Sequence, residues 1–468
     1  MAGNSKTGRR SLKLIAFEAA LVAYTTYFAA LSLDWIGLYP NAHTVGTLIN
    51  IILFTISVIV VNLSVGLYEQ GLREPFRGII RRIFVSAIIS YFAVSIVSSI
   101  LFDDKTEHYL HSSLSVALII LSLVVFRYFV HNTESFSSRP NIIVLGTGVR
   151  AAVIENRMRR VVDRANFNVI SFIFMEGDLS EKGVQRENVV NINVQDDLAD
   201  YLIEHDISEI IIANDQRRGT LPLDVLFNAR LGGVIVTDLL DFVERETGQI
   251  AVDLMYPSWV IYSNGFQSQK LFRKAADYWL NIFLAFFILF FTWPVMVITA
   301  LIIYIDDGLR TGASVLYRQQ RVGKDGKLFN ILKFRSMRPD AEKDGAKWAT
   351  KNDSRVTSIG AFIRKYRVDE LPQLLNVVRG EMSFIGPRPE RPEFVEKLIE
   401  DVPYYAQRHT VKPGIAGWAQ LNYPYGASVK DSLEKLKFDL YYVKHQSLLL
   451  DLLILVRTTE VVLFGKGR

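Results

Sequence analysis

Residues 279–303 read WLNIFLAFFILFFTWPVMVITALII, an uncharged apolar run with one proline, Pro294, inside it. A run this long can cross a hydrocarbon core of about 30 Å at about 1.5 Å rise per residue. Its flanks argue against a simple crossing. Arg273 and Lys274 precede it, and Arg310, Arg318, Arg321, Lys324 and Lys327 follow it. Lys and Arg collect on the cytoplasmic side of a membrane, so a spanning helix would put one basic flank on the wrong side. Proline removes a helix hydrogen bond and bends the helix. The economical reading is a re-entrant helical hairpin over 270–303, kinked at Pro294, that enters and leaves by the cytoplasmic face. A Pro-kinked spanning helix is the alternative.

Four more apolar stretches lie upstream, near 14–33, 48–67, 83–102 and 112–130. Each is long enough to span. Lys6, Arg9, Arg10 and Lys13 precede the first, Arg73, Arg77, Arg81 and Arg82 separate the second from the third, and Arg139 follows the fourth. The two intervening loops carry only Lys105 between them. This alternation predicts a four-helix membrane bundle over 1–132 with both ends in the cytoplasm. Three further spans follow the first stretch, which is therefore read as a retained helix and not as a cleaved signal. Half of the 468 residues are hydrophobic, which excludes a disordered chain, and the absence of cysteine excludes thiolate metal sites and a cysteine nucleophile. Residues 304–468 hold 28 Lys+Arg against 20 Asp+Glu, whereas the rest of the chain is net acidic. An anionic partner is expected at the basic end.

Between bundle and hairpin, short apolar runs alternate with mixed segments. NIIVLGTGVRA from Asn141 reads as a strand, a glycine turn and a helix over 150–163; NVISFIF (168–174), DISEIIIAN (206–214) and GGVIVTD (232–238) read as further strands. The pattern predicts a Rossmann-like α/β domain over 138–255. Gly146, Gly148 and Ala151 fit G-x-G-x-x-G/A, where glycines let the backbone approach a pyrophosphate at a helix N-terminus. Glu176 and Asp178 are the candidate ribose-binding acids. A nucleotide site and a degenerate, purely structural turn both stay open.

The chemistry concentrates in 304–468. VGKDGKLFNILKFRSM (322–337), NDSRVTSIGAFIRKYRVDELPQLLNVVRGEMSFIGPRPE (352–390) and KPGIAGWAQLN (412–422) follow one another there. Taken in order, they resemble the bacterial sugar transferase family of polyprenyl-phosphate glycosyl-1-phosphate transferases, over essentially all of 270–468. With the front half added, the chain resembles the long branch that initiates exopolysaccharide synthesis. The resemblance implies a mainly α catalytic domain over 304–468, anchored by the re-entrant helix.

Asp369 and Glu370 stand side by side among Arg364, Lys365 and Arg367. Nearby cations favour the ionised carboxylates, which suits a nucleophile or a Mg²⁺ ligand. The resemblance implies that Asp369 attacks the sugar-bearing phosphate of a UDP-sugar. UMP leaves, and a polyprenyl (undecaprenyl) phosphate then collects the sugar phosphate. Glu370 is expected to orient the metal or handle a proton. Arg388, stiffened by prolines on both sides, is the candidate phosphate clamp, with Lys333, Arg335 and Arg364 as further phosphate-facing cations. Lys412 divides evenly between substrate contact and turn structure.

A soluble nucleotide sugar and a lipid-borne phosphate must meet at the headgroups, so the catalytic domain is expected on the cytoplasmic face of the bacterial inner membrane. That location disfavours a spanning helix at 279–303. The run 447–464 reads either as an interfacial helix, with Asp451, Arg457 and Glu460 toward water, or as a core helix. The family also implies a homodimer and downstream polysaccharide assembly enzymes as partners, and no nucleic acid is expected.

Two other functions are weighed. A nucleotide-sugar dehydratase needs a Tyr with a Lys four residues on, and none of the 20 tyrosines has one. A non-catalytic scaffold of an export complex has no need of an acid pair among phosphate-binding cations. Which sugar is moved is not legible.

Overall fold

A computed structural model describes residues 5–39, 45–68, 76–101, 105–132, 139–157, 167–178, 183–184, 188–216, 221–255, 259, 263, 265–266, 271–341, 353–423, 426 and 428–463. The chain forms two compact units, Met1–Thr247 and Gly248–Arg468. Among the described residues, five helices are long and apolar enough to cross a membrane.

The first unit opens with α1 (Ser5–Trp35), α2 (Val45–Ser64), α3 (Phe76–Leu101) and α4 (Lys105–Asn132), which match the four expected stretches, although α2 stops at Ser64, short of the expected 67. Their interior is not wholly apolar. Glu18 of α1 is fully buried, where it pairs with Arg127 of α4 at 2.5 Å and accepts the Tyr68 hydroxyl at 2.5 Å. A charge at that depth is tolerated only when partnered, which welds α1 to α4.

The α/β part follows: β1 (Asn141–Leu145), α5 (Val149–Arg157), β2 (Asn168–Ile173), β3 (Val189–Val190), α6 (Leu198–Glu204), β4 (Ile207–Ile212), α7 (Leu223–Leu231), β5 (Ile235–Asp238) and α8 (Leu239–Thr247). All four pairings are parallel, in the order β3-β2-β1-β4-β5. This is the doubly wound order 3-2-1-4-5-6 without its last strand. Ile143, Leu145, Ile173 and Ile210 pack against Leu198, Leu202 and Leu226 on one face. The helix expected over 150–163 is described only to Arg157. The segment after Thr247 belongs to the second unit, where Ile250 N–H donates to the Lys437 carbonyl at 3.0 Å and Asp253 pairs with Lys437 at 3.2 Å.

The second unit is built around α9 (Leu271–Ile303). Here the hairpin expectation is corrected. The segment is one helix with Pro294 inside it, not two arms about a turn. Proline removes only its own bond to the Phe290 carbonyl, and the flanking turns keep theirs. Thr292 does not fill that gap; its hydroxyl donates to Ile288 O at 2.7 Å. One face of α9 lies along the rest of the second unit for most of its length. Leu284, Ala285, Ile288 and Leu289 pack on a core that includes Phe329, Ile331, Leu374 and Phe384. Met296, Ala300 and Ile303 pack with Phe334 and Ile363. The other face exposes Phe283, Phe286, Phe287, Phe290, Phe291 and Trp293.

Downstream come the antiparallel hairpin β6 (Leu316–Val322) and β7 (Leu328–Phe334), then α10 (Ser358–Lys365), the turn Val368–Glu370 and α11 (Gln373–Val378). They are followed by β8 (Ser383–Ile385), α12 (Pro392–Asp401), β9 (Gly414–Ala416, parallel to β8), α13 (Trp418–Asn422), α14 (Val429–His445) and α15 (Leu448–Leu463). In α15, Leu450, Leu453 and Ile454 are buried. Asp451 turns inward, accepting from Tyr442 Oη at 2.8 Å and Arg273 at 3.0 Å. Burial raises its pKa to about 6. The interfacial reading with Asp451 toward water is therefore replaced by a core helix; the Glu460 side chain lies outside the described residues.

Candidate active site

The acid pair sits on a single turn whose first residue is bent to shape. Arg367 has φ +57°, in the left-handed region, and Val368–Glu370 form one 3₁₀ turn after it. Non-glycine residues accept this conformation at a cost and only where neighbours hold them. The turn buries both carboxylates: Asp369 is 8% and Glu370 9% exposed.

Their surroundings differ. Glu370 accepts from Arg388 Nη2 at 2.9 Å and Lys333 Nζ at 3.3 Å on one oxygen, and from Arg367 Nη1 at 3.2 Å on the other. Burial alone would raise its pKa, but Arg388, Lys333 and Arg367 together hold it well below the usual carboxylate range. Asp369 has no hydrogen-bond partner among the described residues. Burial and then the charge of Glu370 push its pKa up, against the pull of Lys333, Arg364 and Arg367. One acid is thus locked ionised as the hub of a cation cluster. The other is left unengaged beside it.

The predicted residues do not all converge. Lys333, near the end of β7, and Arg388 both reach Glu370. Burial lowers the Lys333 pKa, although Glu370 opposes this. Arg364, in the last turn of α10, acts on Asp369 through its charge. Arg335 leaves the cluster and donates to the Ser314 carbonyl at 2.9 Å. Lys412 makes none of the ion pairs at the acids; burial and Lys324 lower its pKa. Sequence reasoning noted Arg367 only as a neighbouring charge. It missed Asn376, fully buried on α11, which accepts from Leu332 N at 3.0 Å and donates to Asn330 O at 2.8 Å, tying α11 to the strand of Lys333. Among the described residues, no three His, Asp or Glu side chains converge as a metal cluster.

The glycine turn of the α/β part is closely packed by its own neighbours. At Gly146 (φ +130°) a Cβ would lie 2.6 Å from the Ala213 backbone, so the glycine lets β1 and β4 pair closely. The helix N-terminus that would face a pyrophosphate is already capped. Asp215 accepts from Val149 N at 3.0 Å and Arg150 N at 2.9 Å, and a Cβ on Gly148 would collide with it. Asp178 accepts from Thr147 N at 2.7 Å and Asp215 N at 3.0 Å, and so braces the turn.

Comparison with known proteins bears on the catalytic unit. The bacterial sugar transferase family model matches residues 272–465. The chain is 45% identical over 174 residues to a UDP-N-acetylgalactosamine-undecaprenyl-phosphate N-acetylgalactosaminephosphotransferase of Aeromonas hydrophila, covering 37% of this chain and 40% of that protein. It is 33% identical over 304 residues to a UDP-glucose:undecaprenyl-phosphate glucose-1-phosphate transferase of Xanthomonas campestris, covering 60% of this chain and 58% of the relative. The chain thus spans about half the length of these relatives. A shorter protein, an uncharacterized sugar transferase of Bacillus subtilis, is 40% identical over 163 residues, which are 34% of this chain and 75% of its own length. With most of one relative matched at this identity, and the family model lying over the unit that carries the acid pair, the chain belongs to the bacterial sugar transferase family.

Proposed function

We propose that the protein is a membrane phosphoglycosyl transferase that moves a sugar-1-phosphate from a UDP-sugar to polyprenyl phosphate. The observation that carries this reading is the unequal acid pair: Asp369 unengaged, Glu370 bound by Arg388, Lys333 and Arg367. An Asp369 oxygen attacks the sugar-bearing phosphorus. The bond from that phosphorus to the bridging oxygen breaks, and UMP leaves with the electron pair. A phosphate oxygen of the polyprenyl phosphate then attacks the same phosphorus and displaces Asp369. Arg388 and Lys333 lie where they can share their charge with the transferred phosphate. Glu370, held ionised, has no proton to give at neutral pH, so its part is to orient those cations.

Mg²⁺ belongs to the same reading. The donor set fits, since Mg²⁺ takes hard oxygens, commonly one or two carboxylates completed by substrate phosphates and water. Asp369 and Glu370 are the residues that would hold it. Once bound, it would neutralise charge on the diphosphate.

The catalytic unit is placed on the cytoplasmic face of the bacterial inner membrane, with α9 dipping into one leaflet. The basic flanks, the lipid-suited aromatic face and the packing of α9 along the catalytic unit support this. Initiation of exopolysaccharide synthesis, a homodimer and downstream assembly enzymes rest on the family resemblance. The test is UMP release by the purified chain in nanodiscs, given a panel of UDP-sugars, undecaprenyl phosphate and Mg²⁺. A scaffold releases no UMP with any of them. Without lipid acceptor, mass spectrometry should find a phosphosugar on the peptide containing Asp369.

A further inference from the structure

The loop that presents Arg388 reads Gly386-Pro387-Arg388-Pro389-Glu390. Its two prolines have no N–H, so the loop has few donors with which to brace itself. Four successive carbonyls are instead held from outside. Gly414 N donates to Pro387 O at 3.0 Å, and Val322 N to Glu390 O at 3.0 Å. Between them, two arginine side chains take the middle pair: Arg408 Nη2 donates to Arg388 O at 2.9 Å and Arg321 Nη1 to Pro389 O at 3.1 Å.

Arg408 is itself immobilised. It is buried, and its Nε and Nη2 donate to one oxygen of Asp439 on α14 at 3.0 and 2.7 Å, while Nη1 donates to Tyr405 Oη at 2.9 Å. A buried ion pair is a poor source of stability, since desolvation offsets much of its attraction. Its use lies in fixing a direction. A guanidinium is a rigid planar fork that can serve Asp439, Tyr405 and the loop together, which a lysine ammonium on a flexible stem cannot.

We infer that Arg408 is a positioning residue for Arg388: anchored on Asp439, it holds the Arg388 carbonyl and so aims the Arg388 guanidinium at the acid pair and the substrate diphosphate. Arg321 does the same one residue further on. This deepens the transferase reading and rests on it for the identity of the substrate.

The test is a double-mutant cycle in the full-length chain in nanodiscs, with UDP affinity read by calorimetry and UMP release by steady-state kinetics. Arg408→Lys should weaken UDP binding by about tenfold and raise KM for the UDP-sugar by a similar factor, with kcat changed less. Arg388→Ala should weaken binding at least as much. The double variant should bind no more weakly than Arg388→Ala alone, because Arg408 works through Arg388. Losses that multiply, or an Arg408→Lys variant with wild-type UDP affinity, overturn the inference. If Arg408→Lys does not fold, Arg321→Gln supplies the same cycle with the same expectation, and multiplying losses there overturn it equally. Wild-type protein that binds UDP but releases no UMP would count against the transferase reading, and the binding cycle would still decide the role of Arg408.

Discussion

Replacing Asp369 with asparagine should abolish UMP release and at the same time make the catalytic unit more stable. In the wild type, burial and the neighbouring Glu370 raise the Asp369 pKa, and no hydrogen bond among the described residues supports its charge. An acid with a raised folded-state pKa binds its proton more readily folded than unfolded. Its ionised form therefore costs stability above the folded pKa, and that cost fades as pH falls toward the unfolded value. Asparagine keeps the shape and removes the charge. Relief of one such conflict is worth about 0.5–2 kcal/mol. For a unit the size of Gly248–Arg468, each kcal/mol moves Tm by about 2–4 °C, so the variant should melt roughly 1–8 °C higher at pH 7. The gain should shrink as pH is lowered through the Asp369 pKa, because the wild type then carries the proton itself. Thermal scans of tryptophan fluorescence at several pH values, alongside UMP release, check both halves. A variant that is inactive but melts no higher refutes the electrostatic argument. A variant that still releases UMP at more than about one thousandth of the wild-type rate refutes the nucleophile.

Chelation with excess EDTA should remove UMP release, and Mg²⁺ or Mn²⁺ should restore it; full activity in EDTA would exclude a metal at the acid pair. Since the chain has no native cysteine, single cysteines at Ser268 and Lys343 can report topology. Both should resist an impermeant thiol reagent in intact cells and react after lysis, whereas labelling at 343 alone would mean that the helix spans. Millimolar NADH should leave the melting of the full chain unchanged. Asp215→Ala should cost about 0.5–2 kcal/mol through the lost cap of α5 and should not open a nucleotide site, so an NADH-dependent rise in Tm in either protein would revive that site.

What could be read in advance was local. Long uncharged runs, flanking charge and short β-rich runs locate the four-helix bundle and the parallel strands, because each signal lies within one element. DELPQLLN and GPRPE single out Asp369, Glu370 and Arg388 for the same reason. What stayed hidden depends on which side chains the fold brings together. Lys333 and Arg335 are two residues apart, yet one reaches Glu370 and the other the Ser314 carbonyl. Hydropathy cannot choose between them, since both are basic residues at the end of one strand. Asp215 lies far along the chain from the glycine turn that it caps, and only the pairing of β1 with β4 brings it there. The run at 448–463 is apolar enough for an interface or a core, and its placement turned on Asp451 finding Tyr442 and Arg273.

The packing of α9 bears on the proposed placement of this helix in one leaflet. Asn281 is a polar residue near the start of the apolar run of α9, and its side-chain oxygen accepts from Phe384 N at 2.7 Å and Ser383 Oγ at 3.0 Å. Those residues belong to β8, which leads directly into the loop of Arg388. Toward its other end, Ile303 packs with Phe334 and Ile363, next to Lys333 and Arg364. A helix of 33 residues is about 50 Å long, well beyond a hydrocarbon core of about 30 Å. If it stood upright across the bilayer, the catalytic unit packed along it would follow it into the hydrocarbon. Lys333, Asp369, Glu370 and Arg388 would then sit at membrane depth, where each charge costs about 2.5–3.5 kcal/mol even on the mildest scale. A helix laid shallowly in one leaflet, bent or tilted, avoids that cost. In the proposed placement the aromatic face would stay in lipid and the acid pair at the headgroups, within reach of a lipid phosphate.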